Sequence, residues 1–281
     1  MRIIRSIKKL RQFVKNAKRK GKTIGFVPTM GYLHEGHLSL LREAKKDCDI
    51  CVVSIFVNPI QFGPKEDFSR YPRDIKRDKF LLKSAGADII FYPSIKIMYP
   101  PGFLTFVVIE RLSDVLCGNS RPGHFKGVTT VVTKLFNIVQ ADIAYFGQKD
   151  IQQSIIIQKM VEDLNMPLKI KLMPIVREID GLAMSSRNVY LFPQQRSDAV
   201  ILWQALKKAK QMINMGERSS QAIISSIKKL ICTKKRVRID YIDCVSIDNL
   251  TSLRKLKGRV IIALAVWIGK VRLIDNIIVR A

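Results

Sequence analysis

Two of the chain's three histidines, His34 and His37, lie in the run Gly25-Phe26-Val27-Pro28-Thr29-Met30-Gly31-Tyr32-Leu33-His34-Glu35-Gly36-His37. The run reads as a buried strand, a turn punctuated by glycines, and an amphipathic helix that begins near Leu38. At a spacing of three, the imidazoles share one face of a first helical turn. A helix start already offers unpaired N–H groups and a partial positive charge, which attract phosphate. Two imidazoles added there suit the holding of a triphosphate and of the charge that develops when it is cleaved. Metal chemistry fits less well. The second histidine comes one residue too early for the zinc-protease pattern His-Glu-x-x-His, and no third ligand neighbours the pair in sequence.

The elements that must carry this turn alternate strand and helix up to about residue 176. Helical spacing covers residues 7–20, 38–46, 74–84, 128–139 and 150–164, and apolar strand-like runs cover 23–28, 50–57, 87–92, 103–109, 143–146 and 169–176. The run 50–57 is apolar almost throughout, as expected of a central parallel strand covered on both faces. Such alternation predicts a Rossmann-like, doubly wound parallel sheet over residues 1–176, with ligands beyond the carboxyl ends of the strands. The stretches to inspect are therefore 29–37, 58–63, 147–150 and 177–187. From 177 to 281 the pattern predicts a smaller α+β domain: helices over 194–215 and 219–232, then strands over 237–246, 259–267 and 271–279 in an antiparallel sheet. Gly269 and Lys270 suit the hairpin turn between the last two.

Composition sets bounds on function. The chain has 281 residues, 47% of them hydrophobic and 26% charged, as in an ordinary globular protein. No apolar run approaches the roughly 20 residues of a membrane span, and no export signal stands out, so no membrane partner and a cytoplasmic location are expected. Five cysteines include Cys48-x-x-Cys51, but no second pair stands at zinc-finger spacing and Cys51 opens an apolar run, where a thiol serves as a small hydrophobe. The net charge of +26, from 49 basic against 23 acidic residues, raises nucleic acid as a partner. The basic residues are spread along the whole chain without an interleaved aromatic motif, which favours a general compositional bias and no nucleic-acid partner.

Longer motifs narrow the class. The turn resembles the His-x-x-His signature of the nucleotidyl-transferase superfamily. The stretch Asp180-Gly181-Leu182-Ala183-Met184-Ser185-Ser186-Arg187 resembles that superfamily's hydroxyl-rich, basic phosphate loop, whose serines and arginine fork suit phosphate oxygens. Further motifs follow in order: Val53-Ser54-Ile55-Phe56-Val57-Asn58-Pro59-Ile60-Gln61-Phe62, Arg70-Tyr71-Pro72-Arg73, Arg121-Pro122-Gly123-His124-Phe125-Lys126-Gly127-Val128 and Tyr145-Phe146-Gly147-Gln148-Lys149-Asp150. With the two loops they span residues 22–192 and resemble the pantothenate synthetase (pantoate–β-alanine ligase) family. Gln148 stands where that family usually has Glu.

The resemblance implies an ATP-dependent ligase that forms pantoyl adenylate and pyrophosphate, then pantothenate and AMP on attack by β-alanine. It implies His37 and His34 as catalytic residues, His37 as proton donor to the departing pyrophosphate. ATP would meet Met30, Gly31, Tyr32, Leu33, His34, Glu35, Gly36 and His37. It would also meet Gly147, Gln148, Lys149, Asp150, Val176, Met184, Ser185, Ser186 and Arg187. Gly36 would give adenine clearance, Asp150 would take the ribose hydroxyls, and Val176 would reach adenine through its backbone. Gln61 and Gln153 would hold pantoate, and Gln61 would border the β-alanine site. His124 is expected on a loop near the substrates, and Tyr71 close to pantoate. Mg2+ would come with the ATP phosphates, without a protein metal site or a tightly bound organic cofactor. The family resemblance also implies a homodimer, with the runs 103–109 and 128–139 as candidates for its contact. The alternatives are another small-molecule nucleotidyl transferase, or an RNA-binding protein on a synthetase-like scaffold.

Overall fold

Six parallel strands carry the histidine turn. In a computed structural model, which describes residues 1–64 and 66–281, chain order runs β1 (Arg2–Ile4), α1 (Ile7–Arg19), β2 (Ile24–Thr29), α2 (Glu35–Asp47), β3 (Ile50–Ile55), α3 (Ile75–Ser84) and β4 (Ile89–Phe91). It continues through α4 (Ile95–Met98), α5 (Cys117–Ser120), α6 (His124–Val139), β5 (Ile143–Gly147), α7 (Ile151–Asp163) and β6 (Lys169–Met173). The strands stand in the order β1-β4-β3-β2-β5-β6, and all neighbouring pairs are parallel. The chain leaves β2 towards β3 on one side, and later returns through β5 on the other. The order therefore reverses between β2 and β5, where the carboxyl ends of parallel strands open a ligand crevice. The near-continuous apolar runs of β2, β3 and β4 are buried, with Phe26, Val52, Ile89 and Ile90 at 0% exposure.

The rest of the chain gives α8 (Pro193–Ala199), α9 (Ile201–Asn214), α10 (Ser220–Ile231), β7 (Val237–Ser246), β8 (Arg259–Ile268) and β9 (Val271–Arg280). These strands form an antiparallel sheet in the order β7-β8-β9. Ile268 pairs with Val271 across the expected turn at Gly269 and Lys270. The helices bury Leu202, Leu206, Ile223 and Ile227 against the inner residues of β8, among them Ile262 and Leu264. Both parts of the predicted fold class, the parallel Rossmann-like sheet and the smaller antiparallel α+β unit, are present.

The chain forms two compact units. One comprises Met1–Ser113, Arg121–Gln148 and Gln153–Pro174, the other Asp114–Ser120, Lys149–Gln152 and Ile175–Ala281. Asp114–Ser120, Lys149–Gln152 and the pair Ile175 and Val176 thus group with the second unit. No helix among the described residues is long and apolar enough to cross a membrane.

Several elements differ from expectation. The run 103–109 is no strand. The main-chain groups of Val107 take side-chain partners from α6 instead: its N–H donates to Thr130 Oγ1 at 3.0 Å and its carbonyl accepts Thr129 Oγ1 at 2.6 Å. The short edge strand β1 lies ahead of the first expected helix and offers only three residues of pattern. Residues 193–214 form two helices, not one, dividing at Val200. The helix after the histidine turn starts at Glu35, three residues early, because His34 itself caps it.

Candidate active site

The turn after β2 is held by contacts at short and long range. Thr29 ends the strand, and its hydroxyl donates to the Ser54 carbonyl at 2.7 Å and accepts the Gly31 N–H at 3.2 Å. Gly31 and Tyr32 are both left-handed, with φ of 82° and 49°. Gly31 has no room for a side chain, since a Cβ would lie 2.9 Å from Ile55 Cγ2 and 3.0 Å from Asp78 Oδ2. Asp78 of α3, 1% exposed, pins the turn: its two carboxylate oxygens accept the N–H groups of Tyr32 and Leu33, each at 2.8 Å. Burial pushes the Asp78 carboxyl above the ordinary range, and the two N–H bonds and Arg77 offset only part of that.

The histidines cap their own helix. His34 Nδ1 accepts the Gly36 N–H at 3.2 Å, and His37 Nδ1 accepts the His34 N–H at 3.3 Å, a reciprocal cap of the capping-box kind. Their ring centroids are 4.1 Å apart. With each Nδ1 lone pair accepting a backbone N–H, a neutral ring carries its proton on Nε2. In that tautomer each ring has an N–H on Nε2 to donate.

Gln61 lies in the 3-10 turn Pro59–Gln61 and is 8% exposed. A chain of donors fixes its amide. Tyr99 OH donates to Asn58 Oδ1 at 2.8 Å, and Asn58 Nδ2 donates to Gln61 Oε1 and to the Gly127 carbonyl, each at 3.0 Å. Gln61 Nε2 faces Met30 Sδ at 3.2 Å, which joins the pantoate candidate to the histidine turn. Helix α6 packs directly on this turn: a Cβ on Gly127 would fall 2.5 Å from the Ile60 carbonyl and 2.6 Å from Gln61 Cα. His124 is the first residue of α6 and not a loop residue. Arg121 grips Glu66 with a fork at 2.7 and 2.6 Å and places Nη1 3.0 Å from His124 Nε2. Arginine can only donate, so His124 Nε2 accepts and its Nδ1–H donates to the Gln61 carbonyl at 2.8 Å. Burial pushes the Glu66 carboxyl up, but the Arg121 fork outweighs this and holds it below the ordinary range. Tyr71 is buried with its ring edge on Phe62, centroids 5.9 Å apart.

Gly147 ends β5, on the far side of the strand-order reversal, and Gln148 follows it; a Cβ on Gly147 would meet nothing within 4 Å. Gln153 is half-buried on α7. In the second unit, Lys149 Nζ lies 3.9 Å from Asp150 Oδ1, and Val176 accepts the Met184 N–H at 3.0 Å through its carbonyl. Ser185 caps the 3-10 turn Ser186–Tyr190 by accepting the Arg187 N–H at 3.2 Å, so its hydroxyl is partly committed within the loop. Sequence reasoning assigned no role to Asn58, Tyr99, Asp78 or Gly127. Asn58 and Gly127 sit inside recognised motifs, whereas Asp78 carries no local signal, because its partners are more than forty residues earlier.

The family pattern described as pantoate-beta-alanine ligase matches residues 2–278. The chain belongs to the pantoate–β-alanine ligase family. The pantothenate synthetase of Caldicellulosiruptor bescii is 54% identical over 281 residues, covering all of both chains. The crystal structure of pantothenate synthetase from Thermus thermophilus superposes with a TM-score of 0.94 at 42% identity over 99% of each chain. Pantoate-beta-alanine ligase from Francisella tularensis, solved with beta-gamma ATP and beta-alanine, gives a TM-score of 0.79 at 36% identity, covering 99% of this chain and 97% of that one. The protein is thus an ATP-dependent ligase of pantoate and β-alanine. Cys48 and Cys51 are buried free thiols, and burial pushes Cys51 up to about 12, so it stays protonated and apolar at neutral pH.

Proposed function

We propose that this ligase works through pantoyl adenylate, with His37 and His34 as the catalytic residues of the first step. A pantoate carboxylate oxygen attacks the α-phosphorus of ATP, and the bond to the bridging α–β oxygen breaks, releasing pyrophosphate. The β-alanine amine then attacks the acyl carbon, AMP leaves, and the amine proton passes to solvent. The observation that carries this reading is the reciprocal histidine cap, which sets two Nε2–H donors beside the N-terminal amides of α2. His37 Nε2–H then donates a hydrogen bond to the departing pyrophosphate and His34 Nε2–H one to a neighbouring phosphate oxygen, where negative charge grows in the transition state.

Gln61 has its amide orientation fixed before substrate arrives, which supports its assignment to pantoate and to the edge of the β-alanine site. Gln153 is the second pantoate ligand in this reading. Residues 30–37, Gly147, Gln148, Lys149, Asp150, Val176, Met184, Ser185, Ser186 and Arg187 are the ATP-handling residues in this reading. Mg2+ enters with the ATP phosphates as part of the substrate, and a cytoplasmic place of action belongs to the same proposal.

The test mixes the protein with MgATP and pantoate, with and without β-alanine. Pyrophosphate release without β-alanine, and pantothenate only with it, are expected. Pantothenate formed without any pantoate-dependent pyrophosphate release would sink the adenylate route. A homodimer is also proposed, resting on Leu104, Phe106 and Val108, alternate residues of the run 103–109 that are 85%, 42% and 60% exposed. Phe106→Asp should then sediment as a monomer, and an unchanged sedimentation coefficient would remove this surface from the interface.

A further inference from the structure

Two polar residues buried on an outer strand have no part in the ligase chemistry described so far. β9 lies at the edge of the antiparallel sheet, yet Asp275 and Asn276 are each 2% exposed. A carboxylate buried so deeply needs a cation and full hydrogen bonding. Asp275 has both: Arg177 Nη1 donates to Oδ2 at 2.7 Å, Arg177 Nη2 to Oδ1 at 3.0 Å, and the Asn276 N–H to Oδ1 at 2.8 Å. Burial pushes this carboxyl above the ordinary range, and Arg177, then the Asn276 N–H, then Lys149 offset only part of that.

Arg177 is in turn built into the loop it opens. Its guanidinium lies 3.8 Å from the Trp203 ring centroid and donates to the Gly181 carbonyl at 3.0 Å. Gly181, with φ of 96°, lets the chain close on the indole, since a Cβ there would fall 1.9 Å from Trp203 Cδ1. Arg177 pairs with Ala183 as an antiparallel bridge, and Met184 N–H closes on the Val176 carbonyl. The next residues are Ser185, Ser186 and Arg187. The neighbouring Asn276 reaches a different segment, its Nδ2 donating to the Lys149 carbonyl at 3.0 Å. Consecutive strand residues project to opposite faces, so one strand can grip two segments.

We propose that Asp275 and Asn276 are positioning residues for ATP. Asp275 acts through Arg177 on the loop that carries Ser185 to Arg187, and Asn276 acts on the backbone of Lys149. Together they set the spacing of two ATP-handling segments that are about thirty-five residues apart in sequence. This rests on the assignment of those segments to ATP.

Steady-state kinetics of pantothenate formation on the full chain, with each substrate varied in turn, test it. Asn276→Ala should raise KM for ATP about tenfold, the factor one lost buried hydrogen bond is worth, with KM for pantoate and β-alanine little changed. Arg177→Lys keeps the charge but loses the two-pronged contact, and should move the same parameter. Ile277→Val, a core change at the next residue of β9, should leave KM for ATP alone. An unchanged ATP KM in both Asn276→Ala and Arg177→Lys, or an equal rise in Ile277→Val, overturns the proposal. Lys149→Ala separates the two possible failures. If it leaves ATP KM unchanged, the ATP assignment falls; if it raises KM while neither Asn276→Ala nor Arg177→Lys does, the positioning role falls.

Discussion

The turn after β2 and the loop that begins at Arg177 are both glycine-bearing segments assigned to ATP, yet they are held by different physics. The first is mostly self-made. His34 and His37 cap their own helix within three residues, and a single buried carboxylate, Asp78, fixes the approach. The second depends on a charge pair between Arg177 and Asp275, whose members are 98 residues apart. A segment whose donors and acceptors are its own neighbours keeps its shape wherever the strand and helix form. A segment tied through a buried ion pair keeps its shape only if a distant strand is in register.

That contrast is tested most forcefully at the ion pair. Asp275→Ala leaves Arg177 without its buried partner and should lower stability by about 3–5 kcal/mol in urea unfolding. A loss under about 1 kcal/mol, the scale of an exposed pair, would show that the loop holds itself. His37→Ala should act the other way round, on chemistry more than on folding. Pyrophosphate release should fall at least about 100-fold, while loss of the cap contact costs only about 1 kcal/mol; release at the wild-type rate would remove His37 from catalysis. Asp78→Ala leaves the N–H groups of Tyr32 and Leu33 without their acceptor and should cost about 2 kcal/mol. That lies below the Asp275 value because the first turn has its own caps, and equal penalties would erase the contrast. Gly127→Ala, which forces α6 off the Gln61 turn, should cost about 1–2 kcal/mol and raise KM for pantoate more than for ATP.

The smallest effect concerns what the two units share. Burial pushes both Cys51 in the first unit and Cys244 in the second up to about 12. A thiol raised in the folded state contributes stability that is fully present below its unfolded pKa and lost as pH rises through the folded one. Neither thiol should therefore react with iodoacetamide at pH 8 in the native chain, whereas exposed Cys232 should. Labelling of Cys244 but not Cys51 would mark the second unit as the one that opens more readily.

Whatever depends on near neighbours could be read from the residues alone. Apolar runs and helical spacing were enough for the alternating first part and the short-linked antiparallel second part. The histidine turn and its chemistry were legible because the imidazoles, the glycines and the helix start lie within one stretch of chain. Even there the helix starts three residues ahead of the apolar pattern, since a histidine acting as the cap is not a pattern that propensity suggests. Whatever depends on distant partners came only with the folded chain: the strand order that reverses between β2 and β5, and the α6 threonines that keep residues 103–109 out of a sheet. Folding also supplied the carboxylate of Asp78, the Tyr99–Asn58 relay to Gln61, and the β9 pair behind Arg177 and Lys149. Each of these is a hydrogen bond or close packing between residues whose spacing in the chain carries no period, so only folding brings them to notice.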